Sequence, residues 1–493
     1  MERLSDFVGT ANGIIWSTPM LILCLCAGTI FTIVMGAPQI RHIPNMIKLL
    51  FNGKASEEGL SSFQAFALAI AGRVGVGNIA GVATAVCMGG PGAIFWMWVI
   101  AIVGSATSFV ECSLSQLHKR TINGEYRGGW MYYIGDHYKA IGTFAAVLFS
   151  VTMPFTQSSL HTNAISSAMH SAFGIPKIAV GIVVAAILAL IVFGGAKRIG
   201  RVAELVVPFM SIGYILVSLI IILAHASEIP EGFRAIFTGA FGQDQVIGAA
   251  MGSAMIWGTK RAIFSSETGL TTATASAASA NVSHPAKQGL VQAFSIYIDT
   301  LFVCTATGLM LVVSGCYNVQ DESGKLIFMG LGKAMEAGPI WVQRAMETVV
   351  PWGGPFIAIA IFFFGFTSIM NHNYSTISGV GYFFQKNGTP KWFENAINLC
   401  FVGGVIFGST TSAEFAWDLG DTFLGTCVWI NYIFLLMSTG VAIKLLRDFE
   451  QQQKNGIDPV FEPEGFKGSK GFNFDMSLWK VIRDKFKSGE LKN

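Results

Sequence analysis

The chain has 493 residues, 52% of them hydrophobic and 12% charged, with a formal net charge of +3. A soluble domain carries about 25% charged residues, so an ordinary water-soluble domain is excluded, and so small a net charge says little about partners. Apolar runs near or above 20 residues recur, at 14–36, 178–195 and 205–224. That length matches a helix crossing a hydrocarbon core about 30 Å thick. The composition describes an all-α polytopic membrane protein.

Apolar runs and turn signals place eleven helical spans. They fall near 14–36, 62–89, 92–117, 141–170, 176–194, 203–225, 245–280, 288–315, 353–384, 392–411 and 421–446. The first exceeds a signal-peptide core and ends without an A-x-A-like site, so it reads as a retained span. With the N-terminus outside, the inside segments hold 23 of the 32 Lys and Arg, and the outside segments hold six: Arg3, Lys177, Arg234, Lys325, Lys333 and Arg344. That bias fits the positive-inside rule and would invert under the opposite orientation. The expectation is N-terminus out and C-terminus in, with residues 1–447 as one transmembrane domain and 448–493 as a cytoplasmic tail.

The long segment 317–352 contains WVQRAMETVV, an amphipathic stretch that fits either a lid or a solvated connector. In the tail, LWKVIRDKFK places Leu478, Val481, Ile482, Lys485 and Phe486 at helical spacing, which predicts a basic amphipathic helix on the inner leaflet. The eight cysteines include no C-x-x-C pair, so neither a zinc site nor a disulfide framework is indicated.

Two spans carry groups that lipid would not tolerate. In GRVGVGNIAGV at 72–82, Gly75 to Ala80 satisfies the G-x-G-x-x-A spacing of a dinucleotide loop. Such a loop needs a strand and a water-exposed helix around it, and here the motif lies inside one membrane-length segment. Gly77 and Gly81 would also suit a helix-packing contact. However, Gly72, Gly75 and Gly77 each weaken the helix by about 1 kcal/mol, and Arg73 and Asn78 sit beside them. Irregular backbone at membrane depth is tolerated where it lines a cavity. A second such segment, WGTKRAIFSSETGLTTAT at 257–274, combines Gly258 and Gly269 with Lys260, Arg261, Glu267 and a run of hydroxyls. Paired broken spans point to a transporter's midplane site. These two open the second and seventh spans, the spacing of a five-plus-five inverted repeat (62–225 and 245–446) preceded by one extra N-terminal helix at 14–36.

On GVGNIAGVATAV with GGPGAIFWMW (75–98), YRGGWMYYI (126–134), KRAIFSSETGL (260–270) and HPAKQGLVQAFSIYIDT (284–300), the sequence resembles the alanine or glycine:cation symporters, which use the leucine-transporter fold. The resemblance implies sodium-coupled import of small neutral amino acids across a bacterial or archaeal inner membrane. It implies sodium as co-substrate, with no organic cofactor, nucleic acid or obligate protein partner. By position it makes Gly75, Val76, Gly77 and Asn78 the unwound turn whose amides hold the substrate carboxylate. Gln157, Trp257, Phe264, Ser265 and Ser266 would line the same pocket. Carbonyls of Ala71, Val74 and Phe364 and hydroxyls of Thr367 and Ser368 would bind sodium.

The chain departs from the family pattern at Val76, Ser266, Thr268, Thr271 and Thr274, where Thr, Asn, Ala, Gly and Pro are usual. The extra hydroxyls either accept a more polar substrate, such as glutamine, or compensate one another. Glu111, Glu204 and Glu267 either bind a proton or neutralise Arg73, Lys260 or Arg261, with pairing favoured by the cost of a lone buried charge. A proton-coupled or exchange-type carrier on the same fold is the main rival. A membrane enzyme is a remote one, since the eight histidines are scattered and none pairs at H-x-x-x-H spacing.

Overall fold

The computed structural model describes residues 2–242, 251–321, 323–466 and 473–491. Helices dominate, and the only described strands form two short hairpins, Arg120–Ile122 with Glu125–Arg127 and Asn318–Gln320 with Leu326–Met329. Seven described helices are long and apolar enough to cross a membrane, or eight if one bent pair counts as a single span. The start of the expected 245–280 span, at 245–250, lies outside the described residues, as do 467–472 of the tail.

Three boundaries differ from expectation. A helix Glu2–Ile15 precedes the Thr18–Val34 helix, with Pro19 in the first turn of the second. A further helix, Ile229–Ala240, follows the Ala196–Ala224 span. The expected 421–446 span runs instead from Ala413 to Met437, and residues 439–454 form a separate helix. Ser412 caps the former with a side-chain oxygen facing the Phe415 amide (3.4 Å), and Glu414 in the first turn complements the helix dipole.

Both glycine-rich spans are broken. Ser61 and Gln64 form a reciprocal capping box that starts the Ser62–Arg73 helix. That helix stops at Val74, a 3-10 turn follows at Val76–Asn78, and the helix resumes over Ala80–Gly89 with a bend of 56°. The second span runs as Met251–Ser266 and Thr272–Ala278. Between them Glu267, Gly269 and Thr271 have φ of 51°, 72° and 72°. Glycine adopts that region freely, whereas a β-branched threonine there is strained. A third irregularity is a π-helical segment, Tyr297–Cys304, inside Pro285–Ser314. The Gly353–Val380 helix packs along Lys139–Phe173, and Gly92–Leu117 packs along both Pro285–Ile296 and Met251–Ser266. The turn of the first break, the Met251–Ser266 helix and the π-helical segment contact one another.

The 317–352 segment is packed structure. Its Pro339–Glu347 helix buries Trp341, Val342, Ala345 and Met346 and donates from Gln343 Nε2 to the Gly354 carbonyl (3.3 Å). The tail helix Met476–Lys487 also corrects an expectation. Its apolar side faces protein, with Trp479 and Ile482 buried. Trp479 Nε1 donates to the Leu117 carbonyl (2.9 Å), and its ring lies 5.0 Å from the buried ammonium of Lys119. Lys485 reaches Glu58 (3.0 Å).

Burial pushes the Lys119 ammonium down to about 7, opposed in part by Glu58. A lysine whose folded pKa lies below its unfolded value destabilises the docked state while protonated, so stability rises with pH from about 7 towards the unfolded value. Proteolytic release of the tail is therefore expected to be faster at pH 6.5 than at pH 9. Lys119→Met should flatten that profile, and an identical profile in the variant would refute the assignment.

Candidate functional site

Where the two breaks meet, a small cavity is lined by Gly72, Arg73, Gly75, Gly77, Gln157, His161, Phe264, Ser265, Glu267, His372 and Leu424. Five of the nine residues expected around the substrate line it: Gly75, Gly77, Gln157, Phe264 and Ser265. The other four do not. Val76 is buried with its side chain towards Gly365, Asn78 faces Asp299, and Ser266 bonds Thr268 Oγ1 (2.8 Å). The Trp257 ring lies beside Lys260 and Arg261, at 5.4 and 5.6 Å.

The glycines permit close approach. A Cβ on Gly75 would stand 2.5 Å from Ser368 Oγ, and one on Gly77 would stand 3.1 Å from the Phe264 ring. Their amides are not equivalent. Gly75 N–H already donates to Asn78 Oδ1 (2.8 Å), so it is not free for a carboxylate. Val76 and Gly77 open the 3-10 turn, and opening positions are those whose N–H groups a helix leaves unpaired.

Asp299 joins the two breaks. It sits in the π-helical segment and is fully buried. Its carboxylate accepts from Asn78 Nδ2 (2.6 Å) in the first break, Ser265 Oγ (3.2 Å to each oxygen) beside the second, and Thr300 Oγ1 (2.6 Å). Sequence reasoning missed this residue, although an aspartate in the apolar run FSIYIDTLFVC was a visible signal.

A few residues away, oxygens converge without a carboxylate. Ser368 Oγ lies 3.0 Å from the Ala71 carbonyl, 3.3 Å from that of Gly72 and 2.9 Å from that of Phe364. Thr367 Oγ1 lies 2.9 Å from the Phe363 carbonyl and 3.1 Å from that of Phe364. Four of the five expected sodium ligands are thus together. The Gly72 carbonyl lies in the same group of contacts.

The buried charges pair differently from expectation. Arg73 donates to Ser108 Oγ (2.9 Å), the Gln292 carbonyl (2.9 Å) and Ser295 Oγ. Glu111 accepts from the Gly269 amide (3.2 Å) and Asn431 Nδ2 (3.3 Å). Glu204 accepts from Gln64 (2.9 Å). Glu267 Oε1 meets His372 Nε2 at 2.8 Å. Lys260 and Arg261 converge on Asp421 at 3.3 and 3.4 Å. None of the three glutamates forms an ion pair with Arg73, Lys260 or Arg261. A cation's proximity in sequence carried no information about the helix it would face.

Above this layer, Phe264 stands 5.1 Å from Trp417, and the Arg261 guanidinium lies 4.7 Å over the Trp417 ring. These residues separate the central cavity from a larger one bordered by the Pro339–Glu347 helix, which Arg261, Glu336, Gln343, Glu414 and Trp417 line. The family-departing hydroxyls stay off the cavity wall. Thr274 Oγ1 bonds the Thr271 carbonyl and accepts from the Trp130 amide (3.2 Å), and Thr268 packs against Gly104. Ser266 and Thr268 bond each other, whereas Thr271 Oγ1 has no partner among the described residues.

The model of the sodium:alanine symporter family matches residues 1–463. The sodium/proton-dependent alanine carrier protein of Bacillus sp. (strain PS3) is 42% identical, over 89% of this chain and 100% of its own. The sodium/alanine symporter of Methanococcus maripaludis is 35% identical, over 91% of this chain and 98% of its own. In a crystal structure, the Eremococcus coleocola manganese transporter superposes with a TM-score of 0.52 at 13% identity, over 89% of this chain and 95% of that one. That last likeness concerns the fold alone. The chain belongs to the sodium:alanine symporter family. It is a multi-pass membrane transporter and not an enzyme.

Proposed function

We propose that this family member is a sodium-coupled importer of small neutral amino acids that works by alternating access around the central cavity. The observation that carries the reading is the meeting of the two helix breaks at one small cavity beside the Ala71–Gly72–Phe364–Thr367–Ser368 oxygens. Gly75, Gly77, Gln157, Phe264 and Ser265 hold the amino acid, and its carboxylate lies on the Val76 and Gly77 amides. Unwound carbonyls and hydroxyls suit a hard monovalent cation. Eleven spans arranged as one extra helix and two inverted five-helix repeats, with the N-terminus outside, complete the proposed architecture.

The energetics suffice with one ion. A cation crossing about 100 mV releases roughly 2.3 kcal/mol, and a tenfold sodium gradient adds about 1.4 kcal/mol. Together about 3.7 kcal/mol supports several-hundred-fold accumulation, with no nucleotide required.

In proteoliposomes, replacing external sodium with choline is expected to abolish uptake of labelled alanine at constant pH. Undiminished uptake in choline that collapses with the proton gradient would replace sodium by a proton-coupled mechanism. The relative named sodium/proton-dependent makes that second arm informative.

A further inference from the structure

The cavity wall carries more hydrogen-bonding capacity than an alanine can use. Oε1 and Nε2 of Gln157, both ring nitrogens of His161, Nδ1 of His372 and Oε2 of Glu267 have no hydrogen-bond partner among the described residues. All four side chains line the cavity, and all are at most 4% exposed. Each such group left dry costs about 1–3 kcal/mol, so their convergence specifies what fills the space.

An amino acid's main-chain groups account for only part of the set. Its ammonium has three donors, which Glu267 Oε2 and Gln157 Oε1 can accept. Its carboxylate can take Gln157 Nε2 together with the turn amides. The imidazole nitrogens remain. His161 stands beside the substrate's expected position, since its Cε1 would lie 3.5 Å from a Cβ on Gly75. The His161 and His372 rings stack with centroids 5.3 Å apart and planes 23° apart.

His372 is oriented by Glu267 through the 2.8 Å contact at Nε2. With Nε2–H donating, a neutral His372 presents Nδ1 as an acceptor. His161, with no such constraint, can present an N–H. One acceptor next to one donor matches a hydroxyl, which both donates and accepts through a single atom. A methyl or ethyl group can do neither. Phe264 and Leu424 also line this cavity, whose free volume is about 10 Å³, room for one water-sized group.

We infer that His161 and His372 are the side-chain selector of this carrier, and that it favours small neutral amino acids bearing a hydroxyl on the β-carbon over apolar isosteres. The inference rests on the reading of the cavity as the amino-acid site.

L-Serine and L-2-aminobutyrate differ only by hydroxyl against methyl on the β-carbon, so they are the probes. Each competes against labelled alanine in sodium-driven proteoliposomes. Serine is expected to inhibit at a concentration about tenfold or more below that of aminobutyrate, since a site built for a hydroxyl rejects the analogue lacking it. His161→Phe and His372→Phe are each expected to move that ratio towards one. The ratio is internal to each preparation, so poor insertion of a variant lowers both signals and leaves the ratio readable. Equal inhibition by the two probes in the unmodified protein overturns the selector, as does a ratio that persists in both variants. Sodium-driven alanine uptake is read separately. Its absence defeats the functional reading and the selector with it, whereas its presence with equal inhibition defeats the selector alone.

Discussion

Asp299→Leu is expected to reduce alanine uptake at least 100-fold while leaving membrane insertion intact. Leucine keeps the branched shape of aspartate, with two larger methyl groups in place of the oxygens, but accepts no hydrogen bond. Asn78 Nδ2, Ser265 Oγ and Thr300 Oγ1 would lose the carboxylate that now receives all three. Each buried donor left unpaired costs about 1–3 kcal/mol, so the three together cost at least about 3 kcal/mol, roughly two powers of ten in an equilibrium. That cost falls on the geometry between the breaks, because Asn78 also holds the Gly75 amide (2.8 Å). Asn78 would keep only its longer contacts, to the Asp299 carbonyl and Cys304 Sγ (3.3 Å each), so the turn carrying the Val76 and Gly77 amides is held less firmly. Asp299→Asn keeps one acceptor oxygen and should lose only about tenfold, the scale of one hydrogen bond to a charged group. Uptake per inserted carrier, measured beside thermal unfolding in detergent, checks both. Near-normal uptake by the leucine variant would remove Asp299 from the site.

The breaks were legible because glycine clusters and buried polar groups conflict with a continuous lipid-facing helix, and such conflicts can be read locally. Gly72, Gly75 and Gly77 marked the first break within three residues of where the helix stops at Val74. The second was visible as a region, but its centre was not. Glu267 and Thr271 take left-handed backbone that their side chains disfavour, so tertiary contacts override local preference there. What the sequence could not disclose was pairing between helices. Asp421 lies about 160 residues beyond Lys260 and Arg261, and His372 lies 105 residues beyond Glu267. Helix packing brings such partners together, and no spacing rule links them. The family departures teach a related lesson. Val76 and Ser266 drew attention by difference from the family pattern, yet they face Gly365 and Thr268. His161 and His372, which stood in no motif, face the cavity.

The cation site offers the other large effect. Ser368→Ala is expected to raise the sodium concentration for half-maximal uptake at least tenfold, and Thr367→Ala to raise it by less. Ser368 has one hydroxyl hydrogen, yet three carbonyl oxygens, those of Ala71, Gly72 and Phe364, lie within 3.3 Å of its oxygen. It can donate to one of them at a time. The other two keep unshared lone pairs, and a cation bound among them would convert their mutual repulsion into coordination. Thr367 is tied more locally. Both of its carbonyl contacts, to Phe363 and Phe364, are the back-bonds any threonine makes within its own helix. Only Ser368 bridges from the Gly353–Val380 helix to the end of the broken Ser62–Arg73 helix, so only its loss uncouples cation binding from the turn that holds the substrate. Losing one of about five oxygen ligands together with that bridge should cost at least 1.4 kcal/mol, the equivalent of tenfold in affinity. The ordering of the two variants is the discriminating outcome. A larger shift for Thr367→Ala than for Ser368→Ala would move the cation away from the break, and unchanged sodium dependence in both would dissolve the site.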